Sequence, residues 1–295
     1  MKTERFLKEV FESIITSADV IFQVLDARNP QGTRNLKLEE FVHKKTPEKK
    51  IFLIINKIDL IPKPILEAWI RYFKKTTPYS VYGLSALYSR GILTFKKTLS
   101  HLFKKRQTKA IIVGYPNTGK SSLIKAFTGD KKKIGISSRA GFTRGIIEIK
   151  ITQNFQLLDT PGIIPLSEDN EIDQAIKGVI NPEKILDKEA VVQTLFELYI
   201  TPNKVLDFYG VDEAFIQAKL PESADVFIQK YVKNDVPSSL SYSDFEHILY
   251  LIGNKRGELK SGGEVDESRV LNAIIHAWQK NKIKYYISPP MQNSV

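Results

Sequence analysis

The sequence contains no cysteine and only four histidines. Without a thiol, the chain forms no disulfide and holds no cysteine-ligated zinc. Its four histidines, His43, His101, His247 and His276, lie far apart and lack the spacing of metal ligands. We therefore exclude thiolate chemistry and disulfide-stabilised scaffolds, and we interpret the histidines as structural or solvent-facing residues.

Long hydrophobic runs are also missing. The run at residues 51–55 is typical of the longest, whereas a membrane-spanning helix needs about 18 apolar residues. The first residues include Glu4, Glu9 and Glu12, a composition unlike that of a signal or transit peptide. We expect a cytoplasmic protein with no membrane partner.

Acidic residues are in the minority, and the basic surplus is unevenly distributed. The 295 residues include 44 Lys and Arg against 33 Asp and Glu, for a net charge of +11. Residues 1–180 hold 31 of the basic and 17 of the acidic side chains, whereas residues 181–254 are acidic overall. This surplus favours RNA over an acidic protein as the partner. We expect RNA rather than DNA, and a monomeric protein.

A phosphate-binding loop lies at residues 114–121. The chain there reads Gly114-Tyr115-Pro116-Asn117-Thr118-Gly119-Lys120-Ser121, after an apolar strand and before a helical stretch. The N–H groups of residues 117–121 are expected to bind phosphates at a helix N-terminus. Lys120 would neutralise charge on the β- and γ-phosphates, and Ser121 would bind magnesium. Ser122 completes the expected nucleotide-binding loop.

A second phosphate-contacting segment follows. Asp159-Thr160-Pro161-Gly162 comes directly after an apolar strand. Asp159 is expected to orient the magnesium ion, and the Gly162 N–H to contact the γ-phosphate. Thr143 is the predicted switch threonine, because its hydroxyl must lie just before the next strand; Thr128, Ser137 and Ser138 remain alternatives. Lys120, Thr143 and Gly162 form the predicted catalytic set.

The base-recognition motif is Asn56-Lys57-Ile58-Asp59, which ends another strand. Asp59 can accept two hydrogen bonds from the ring N–H and amino group of guanine, a donor pair that adenine lacks. The Lys57 stem would cover the base, and Asn56 would hold this loop to the phosphate loop. Ser85-Ala86, after the next strand, would offer a backbone N–H to the guanine carbonyl. Together these motifs predict GTP and GDP as ligands, with magnesium.

The order of the motifs is inverted, because the guanine motif precedes the phosphate loop. We therefore predict a circularly permuted P-loop GTPase fold of class α/β, with a doubly wound, mostly parallel sheet in residues 1–170. Residues 171–295 are predicted to form a mainly helical domain. Within it, Ser243 and Glu246 have capping-box spacing, and residues 284–287 resemble a strand. The γ-phosphate segment would lead directly into this domain.

This motif order resembles that of the circularly permuted ribosome-assembly GTPases of the YlqF/RbgA/YawG group, with their Nog-Lsg and nucleostemin-like relatives. Further stretches support the resemblance: Asp26-Ala27-Arg28-Asn29-Pro30, Lys255-Arg256-Gly257 and Gly262-Gly263-Glu264-Val265-Asp266. The resemblance implies a GTPase that binds precursors of the large ribosomal subunit and their rRNA, with residues 171–295 as the domain that binds RNA or the ribosome. It also implies slow intrinsic hydrolysis stimulated by the ribosomal particle, and a potassium ion held by Asn117.

The chain departs from the family pattern in places. Thr118 replaces the usual valine, and Ile163 stands where a water-orienting glutamine is found in other GTPases. No histidine precedes His43, although bacterial members use an N-terminal histidine in catalysis. The residue that positions the attacking water is therefore unassigned.

Three alternatives remain. Small-subunit permuted GTPases carry an oligonucleotide-binding barrel and a zinc domain, which the absence of cysteine disfavours. A regulatory GTP-binding switch acting on a protein partner, with little hydrolysis of its own, would use the acidic stretch 181–254. An ATP-dependent protein would not need Asp59.

Overall fold

The computed structural model describes residues 12–104, 106–129, 136–137, 146–159, 170–233 and 240–290. The chain divides into two compact units, Met1–Glu168 with Tyr286–Val295, and Asp169–Tyr285. We call them the sheet unit and the helical unit. The last residues of the chain therefore group with the sheet unit, whereas the sequence assigned them to the helical domain.

The sheet unit contains a seven-stranded sheet in the order β3-β2-β1-β4-β7-β6-β5. The strands are β1 Val20–Asp26, β2 Lys50–Asn56, β3 Ser80–Leu84, β4 Thr108–Val113, β5 Ile136–Ser137, β6 Ile146–Thr152 and β7 Phe155–Asp159. Neighbours from β3 to β7 are parallel, and β6 and β5 add antiparallel pairs at one edge. The predicted mostly parallel, doubly wound sheet is confirmed.

Both faces of this sheet are buried, which explains the nearly continuous apolar runs of its central strands. Strand β1 shows the principle, because Phe22 packs into the core on one face and Ile21 and Leu25 pack into the core on the other. Helices Leu36–Lys45 and Lys63–Thr76 cover the Ile21 face, and helices Ile92–Leu102 and Lys120–Thr128 cover the Phe22 face.

The helical unit is built from short helices around one apolar core. Its helices are Glu171–Ile176, Lys188–Leu198, Pro202–Phe208, Glu213–Lys219, Ala224–Phe227, Tyr242–Arg256 and Glu267–Gln279, with a π-helical turn at Ile228–Val232. Phe196, Phe245 and Ile274 lie in the fully buried centre. Helix Tyr242–Arg256 is capped by Ser241 rather than by the predicted Ser243, because the chain enters the helix two residues earlier.

The first helix of this unit is bound to its last helix. The Trp278 indole N–H donates to the Ile176 carbonyl at 2.8 Å. The Gln279 amide donates to the carbonyls of Ala175 and Ile180 at 2.8 and 2.9 Å. These three side-chain bonds fix helix Glu171–Ile176 and the turn after it on helix Glu267–Gln279.

The chain beyond the helical unit returns to the sheet unit. No strand forms at residues 284–287, contrary to the sequence prediction. Instead, the Ile287 N–H donates to the Arg28 carbonyl at 2.8 Å, and the Trp69 indole donates to the Ile287 carbonyl at 2.8 Å. The N–H and the carbonyl of Ile287 are thus both paired with residues of the sheet unit. Two hydrogen bonds at a single residue do not define a strand. None of the helices in the described ranges has the length and hydropathy of a membrane-crossing segment.

Candidate nucleotide-binding site

The predicted motifs converge because they follow the carboxyl ends of neighbouring parallel strands. Asp26 on β1 lies opposite Asn56 on β2, and Asn56 lies opposite Leu84 on β3. Strand β4, which leads into the phosphate loop, lies on the other side of β1. This edge of an open parallel sheet is where ligands bind in doubly wound folds.

Asn56 joins three loops. Its side-chain N–H donates to the Thr118 carbonyl in the phosphate loop at 2.9 Å, and its side-chain oxygen accepts from the Ala86 N–H at 3.1 Å. Asn56 is buried, so both bonds are shielded from water. A single amide thus sets the separation between the phosphate loop and the two loops predicted to contact guanine.

Asp59 is positioned by Ser85. Asp59 lies on the 3-10 turn Ile58–Leu60, and its Oδ1 atom accepts a hydrogen bond from the buried Ser85 hydroxyl. The sequence suggested that the Ser85-Ala86 loop contributes a backbone N–H to guanine. In this structure the Ala86 N–H pairs with Asn56, and the Ser85 side chain holds the carboxylate.

A buried ion network lies beside the guanine motif. Asp26 accepts from Arg28 Nε at 2.9 Å, from Arg28 Nη2 at 2.7 Å and from Lys57 Nζ at 2.7 Å. The side chains of Asp26 and Arg28 are only 6% and 5% exposed, so this pairing is almost free of solvent. In the sequence, Asp26 and Arg28 stand out only through the family resemblance of the stretch that contains them. The signal that locates them is the register, since Asp26 ends β1 directly opposite Asn56.

The charges in this network depend on one another. Burial alone would raise the pKa of Asp26, but the hydrogen bond and charge of Arg28, with the charge of Lys57, hold it below its usual range. Burial lowers the pKa of Lys57, and the Asp26 carboxylate opposes that shift. Lys57 also has a left-handed backbone, with φ of 65°. The lysine predicted to cover the base is therefore held by a carboxylate at the end of the adjacent strand.

The phosphate loop turns sharply through residues with positive φ, namely Asn117 at 60° and Gly119 at 92°. A Cβ atom on Gly119 would lie 2.3 Å from Asn56 Nδ2, and one on Gly114 would lie 2.5 Å from the Val24 carbonyl oxygen. Both glycines are therefore required by close approach as well as by backbone conformation. The space between Gly119 of the phosphate loop and Asn56 of the guanine motif is therefore too small for one additional methyl group.

Lys120 is folded onto its own loop. Its Nζ atom donates to the carbonyls of Gly114 and Tyr115 at 2.8 and 2.7 Å. Burial, with the nearby Lys57 charge, lowers the pKa of Lys120 to about 8. A cation held by neutral carbonyls and repelled by a second lysine is a favourable partner for a phosphate group, and this donor set fits the predicted nucleotide.

Ser121 and Ser122 are exposed in the first turn of helix Lys120–Thr128. Asp159 ends β7, one residue beyond the point where Leu158 pairs with Ile111 on β4. The chain elements that carry Ser121 and Asp159 thus lead to the same edge of the sheet, as a magnesium site there requires. Thr143 and Gly162, and the alternative Ser138, lie outside the described residues.

Among the residues that the structure describes, no group of three or more His, Asp or Glu side chains forms a separate metal site. Asn117, the residue assigned to potassium, is exposed in the phosphate loop.

The sheet order and the three connected loops define a P-loop nucleotide-binding protein with permuted connectivity. A family model described as a 50S ribosome-binding GTPase matches residues 109–206. An uncharacterized GTP-binding protein from Methanocaldococcus jannaschii is 34% identical over 285 residues, which cover 95% of this chain and 66% of that protein. Nucleolar GTP-binding protein 2 from Pneumocystis carinii is 30% identical over 99% of this chain and 55% of its own length.

A solved structure of GNP-bound YlqF from T. maritima superposes with a TM-score of 0.60, covering 95% of this chain and 96% of that chain at 21% identity. At that identity the likeness concerns the fold. The chain belongs to the circularly permuted GTPase family that includes YlqF and the nucleolar GTP-binding proteins. It spans between about half and two thirds of the length of the curated relatives.

Proposed function

We propose that this chain binds and hydrolyses GTP and acts in ribosome assembly, where it binds large-subunit precursors and their rRNA in a nucleotide-dependent way. The observation that carries the nucleotide part is the pair of Asn56 hydrogen bonds that connect the phosphate loop to the guanine loops. The match to a family model of 50S ribosome-binding GTPases and the names of the nucleolar relatives support the ribosomal part.

Guanine selectivity is assigned to Asp59. Its carboxylate is oriented by the Ser85 hydroxyl, and it would accept from the two N–H donors on the guanine edge. Lys57, held by Asp26, would lay its stem along the base. An adenine base would leave the carboxylate unpaired, which costs affinity.

Phosphate binding is assigned to Lys120 and to the backbone of residues 117–121. Lys120 would exchange the carbonyls of Gly114 and Tyr115 for phosphate oxygens of the nucleotide. Magnesium, held through Ser121, Thr143 and Asp159, would neutralise the phosphate charge. Asn117 is proposed to hold a potassium ion that supplies further positive charge.

Coupling to the particle is assigned to the segment that contains Gly162. In sequence, this segment is followed by helix Glu171–Ile176. Trp278 and Gln279, which lie on the last helix of the helical unit, donate hydrogen bonds to carbonyls of helix Glu171–Ile176. A displacement on loss of the γ-phosphate would therefore act on the helical unit through a fixed helix pair. Residues 171–285 are the part proposed to contact rRNA.

The cellular compartment and the oligomeric state of the protein are further parts of the proposal. We expect a monomer in the cytoplasm, whereas the names of the eukaryotic relatives place those proteins in the nucleolus or nucleus. In a cell with a nucleus, the relatives favour that compartment instead.

The test is phosphate release from GTP by the full chain, measured alone and with purified large-subunit precursors. We expect slow intrinsic turnover that rises with the particles and is higher in potassium than in sodium buffer. A rate unchanged by particles would reject the ribosomal part, and equal rates in the two buffers would reject the potassium assignment.

A second candidate is a regulatory switch that binds GTP and acts on a protein with little hydrolysis. It is favoured by the acidic composition of residues 181–254, in which Leu186 and Val226 are 90% and 72% exposed. GTP-dependent binding of a basic protein without stimulated hydrolysis would support this candidate over the first.

A further inference from the structure

We propose that a cavity in the helical unit binds one unstacked nucleotide of single-stranded RNA. The inference rests on the proposed function, because the RNA concerned is the rRNA of the particle. The cavity is distant in sequence from the GTP motifs and lies wholly within residues 181–282. None of its residues is part of the predicted nucleotide site.

The cavity has a volume of about 480 Å³. It is an open cavity lined by the turn Pro182–Lys184, the end of helix Pro202–Phe208, the end of helix Tyr242–Arg256 and one face of helix Glu267–Gln279. This volume lies within the range of about 300–1,000 Å³ typical of small-molecule sites. An inorganic phosphate alone would leave most of it unfilled.

Two buried polar atoms among the cavity-lining residues have no hydrogen-bond partner within the described part of the protein. They are the hydroxyl oxygen of Tyr209 and the side-chain oxygen of Asn272. Buried polar atoms are normally paired, and an unpaired one is explained by local strain, by water or by a bound group. Because both residues line this cavity, we assign their unpaired atoms to a ligand with neutral donors and acceptors.

The cavity also carries cations. Arg256 lies over the Tyr209 ring, with its Cζ atom 5.2 Å from the ring centroid, and pairs with Glu258 at 3.1 Å. Lys282 and Arg269 are exposed at the cavity, and Arg269 contacts Asp266 at 3.4 Å. Exposed ion pairs of this kind are weak and can be exchanged for a phosphate.

Aromatic surface is available for stacking. Phe208, 39% exposed, lies beside Tyr209 with the ring centroids 4.8 Å apart. Burial raises the pKa of Tyr209 to about 12, so its hydroxyl is neutral at physiological pH and can donate or accept. Unstacked bases of RNA are recognised in this way, by aromatic or guanidinium faces and by hydrogen bonds to the base edges.

The combination favours a nucleotide over an acidic peptide. A peptide carboxylate would satisfy the cations but would meet Glu183 and Glu258, which also line the cavity. A nucleotide presents one phosphate to the cations, a flat base to the rings, and amino or imino groups to Asn272 and the carboxylates. The mixed charge of the cavity thus matches a ligand that is neutral at one end and anionic at the other.

The test measures binding of labelled 12-nucleotide homopolymer RNAs, single-stranded or as blunt duplexes, to the GDP-bound full chain. Tyr209→Phe and Asn272→Ala should each raise the single-strand Kd by about threefold to tenfold, as expected for loss of one hydrogen bond. Tyr250→Phe, on helix Tyr242–Arg256 and away from the cavity, is the matched control and should leave the Kd unchanged. Thermal melting verifies that all three variants fold.

Photocrosslinking with 4-thiouridine RNA identifies the contact. We expect crosslinked peptides from residues 202–210 and 267–282, and their loss in the two cavity variants. Wild-type Kd values in both variants, or crosslinks elsewhere, would overturn the inference. The inference would also be overturned if Tyr209→Phe weakened the binding of a polyglutamate peptide and left RNA binding unchanged. The occupant of the cavity would then be an acidic protein.

Particle-stimulated GTP hydrolysis, measured on the same variants, separates this inference from the proposed function. If particles stimulate the wild-type chain but the variants bind single strands normally, the cavity assignment fails and the proposed function stands. If particles have no effect on the wild type while the variants lose RNA binding, the proposed function fails and the cavity assignment stands.

Discussion

The side-chain amide of Asn56 and the carbonyl of Thr118 are 62 positions apart in the chain and share a hydrogen bond of 2.9 Å. Since Asn56 is buried and also accepts from the Ala86 N–H, it determines how the phosphate loop lies against the guanine loops. The relative positions of the phosphate loop and the guanine loops therefore depend on the side chain of Asn56.

Asn56→Ala should therefore weaken GDP binding by roughly tenfold to a hundredfold, since each lost buried hydrogen bond costs about 1 kcal/mol or more. Titration of a fluorescent GDP analogue measures the Kd. Asn254→Ala is the control and should bind GDP normally, since the Asn254 side chain donates to the Tyr250 carbonyl and accepts from Lys219 Nζ, both in the helical unit. An unchanged Kd in Asn56→Ala would show that the loops hold their positions without it.

Gly119→Ala tests the close approach between the loops. The new Cβ atom would lie 2.3 Å from Asn56 Nδ2, and φ is 92°, so we expect loss of nucleotide binding in a chain that still folds. Gly129→Ala is the matched control, because φ there is also positive, at 59°, but no atom of the described residues lies within 4 Å of the added atom. It should lose about 1–2 kcal/mol of stability, because a residue with a Cβ atom is strained at positive φ, and keep its affinity. Equal effects of the two substitutions on the Kd would contradict this explanation.

Nucleotide affinity should fall as pH rises above about 8. The pKa of Lys120 lies at about 8 in the described structure, and a bound phosphate would favour the charged lysine and raise this pKa. Binding above pH 8 must then take up a proton, so the Kd should rise, approaching about tenfold per pH unit. Calorimetry of GDP binding in buffers of different ionisation enthalpy measures the uptake.

The control for this pH effect is Lys120→Arg. An arginine stays charged throughout this range, so this variant should show no proton uptake between pH 7 and 9, whatever its affinity. If GDP binding to Lys120→Arg still took up a proton between pH 7 and 9, the proton would bind to a group other than residue 120.

Asp26→Asn should destabilise the fold by about 3 kcal/mol, because Arg28 and Lys57 would lose their buried carboxylate partner. Since the folded-state pKa of Asp26 lies below 3.8, its contribution is present above that pH and is lost as pH falls through the folded value. Urea unfolding at pH 7 and at pH 3 measures both effects, and the difference between wild type and variant should shrink at the lower pH. Asp19→Asn, whose ion pair with Arg106 is exposed, should have a much smaller effect at pH 7.

Asp59→Asn should lower GTP affinity by at least about a hundredfold and raise affinity for xanthosine triphosphate, since an amide complements the xanthine edge. Competition between the two nucleotides gives the ratio directly. Ser85→Ala, which removes the hydroxyl that orients Asp59, should weaken GTP binding by a smaller factor without changing the preference. An Asp59→Asn protein that still prefers GTP would remove Asp59 from base recognition.

Much of the sheet unit was predictable because its strands are buried on both faces and end in recognisable motifs. The runs at β1, β2 and β4 are apolar at nearly every position, and a phosphate loop between a strand and a helix has few alternatives. The prediction of family and fold is confirmed. The assignments of site residues and domain bounds remain predictions.

Details that depend on long-range contacts were missed. Ser241 and Ser243 are both reasonable helix caps, and only the path of the chain into the helix selects Ser241. Residues 284–287 have strand-like composition, but the described part of the chain contains no strand there, and Ile287 pairs instead with Arg28, which lies beyond the end of β1. The Ser85 hydroxyl was overlooked because its partner, Asp59, lies on a different loop.

The amino-acid order alone identifies the motifs of this protein: a phosphate loop, a guanine motif and an inverted order between them, each formed by a few adjacent residues. The pairing of Asp26, Arg28 and Lys57, and the set of polar groups around the cavity at Tyr209 and Asn272, are visible only in the folded chain. This difference arises because a motif specifies local backbone and side-chain type. A buried ion pair or an unpaired polar atom instead depends on which distant segments the folded core brings within a few ångströms.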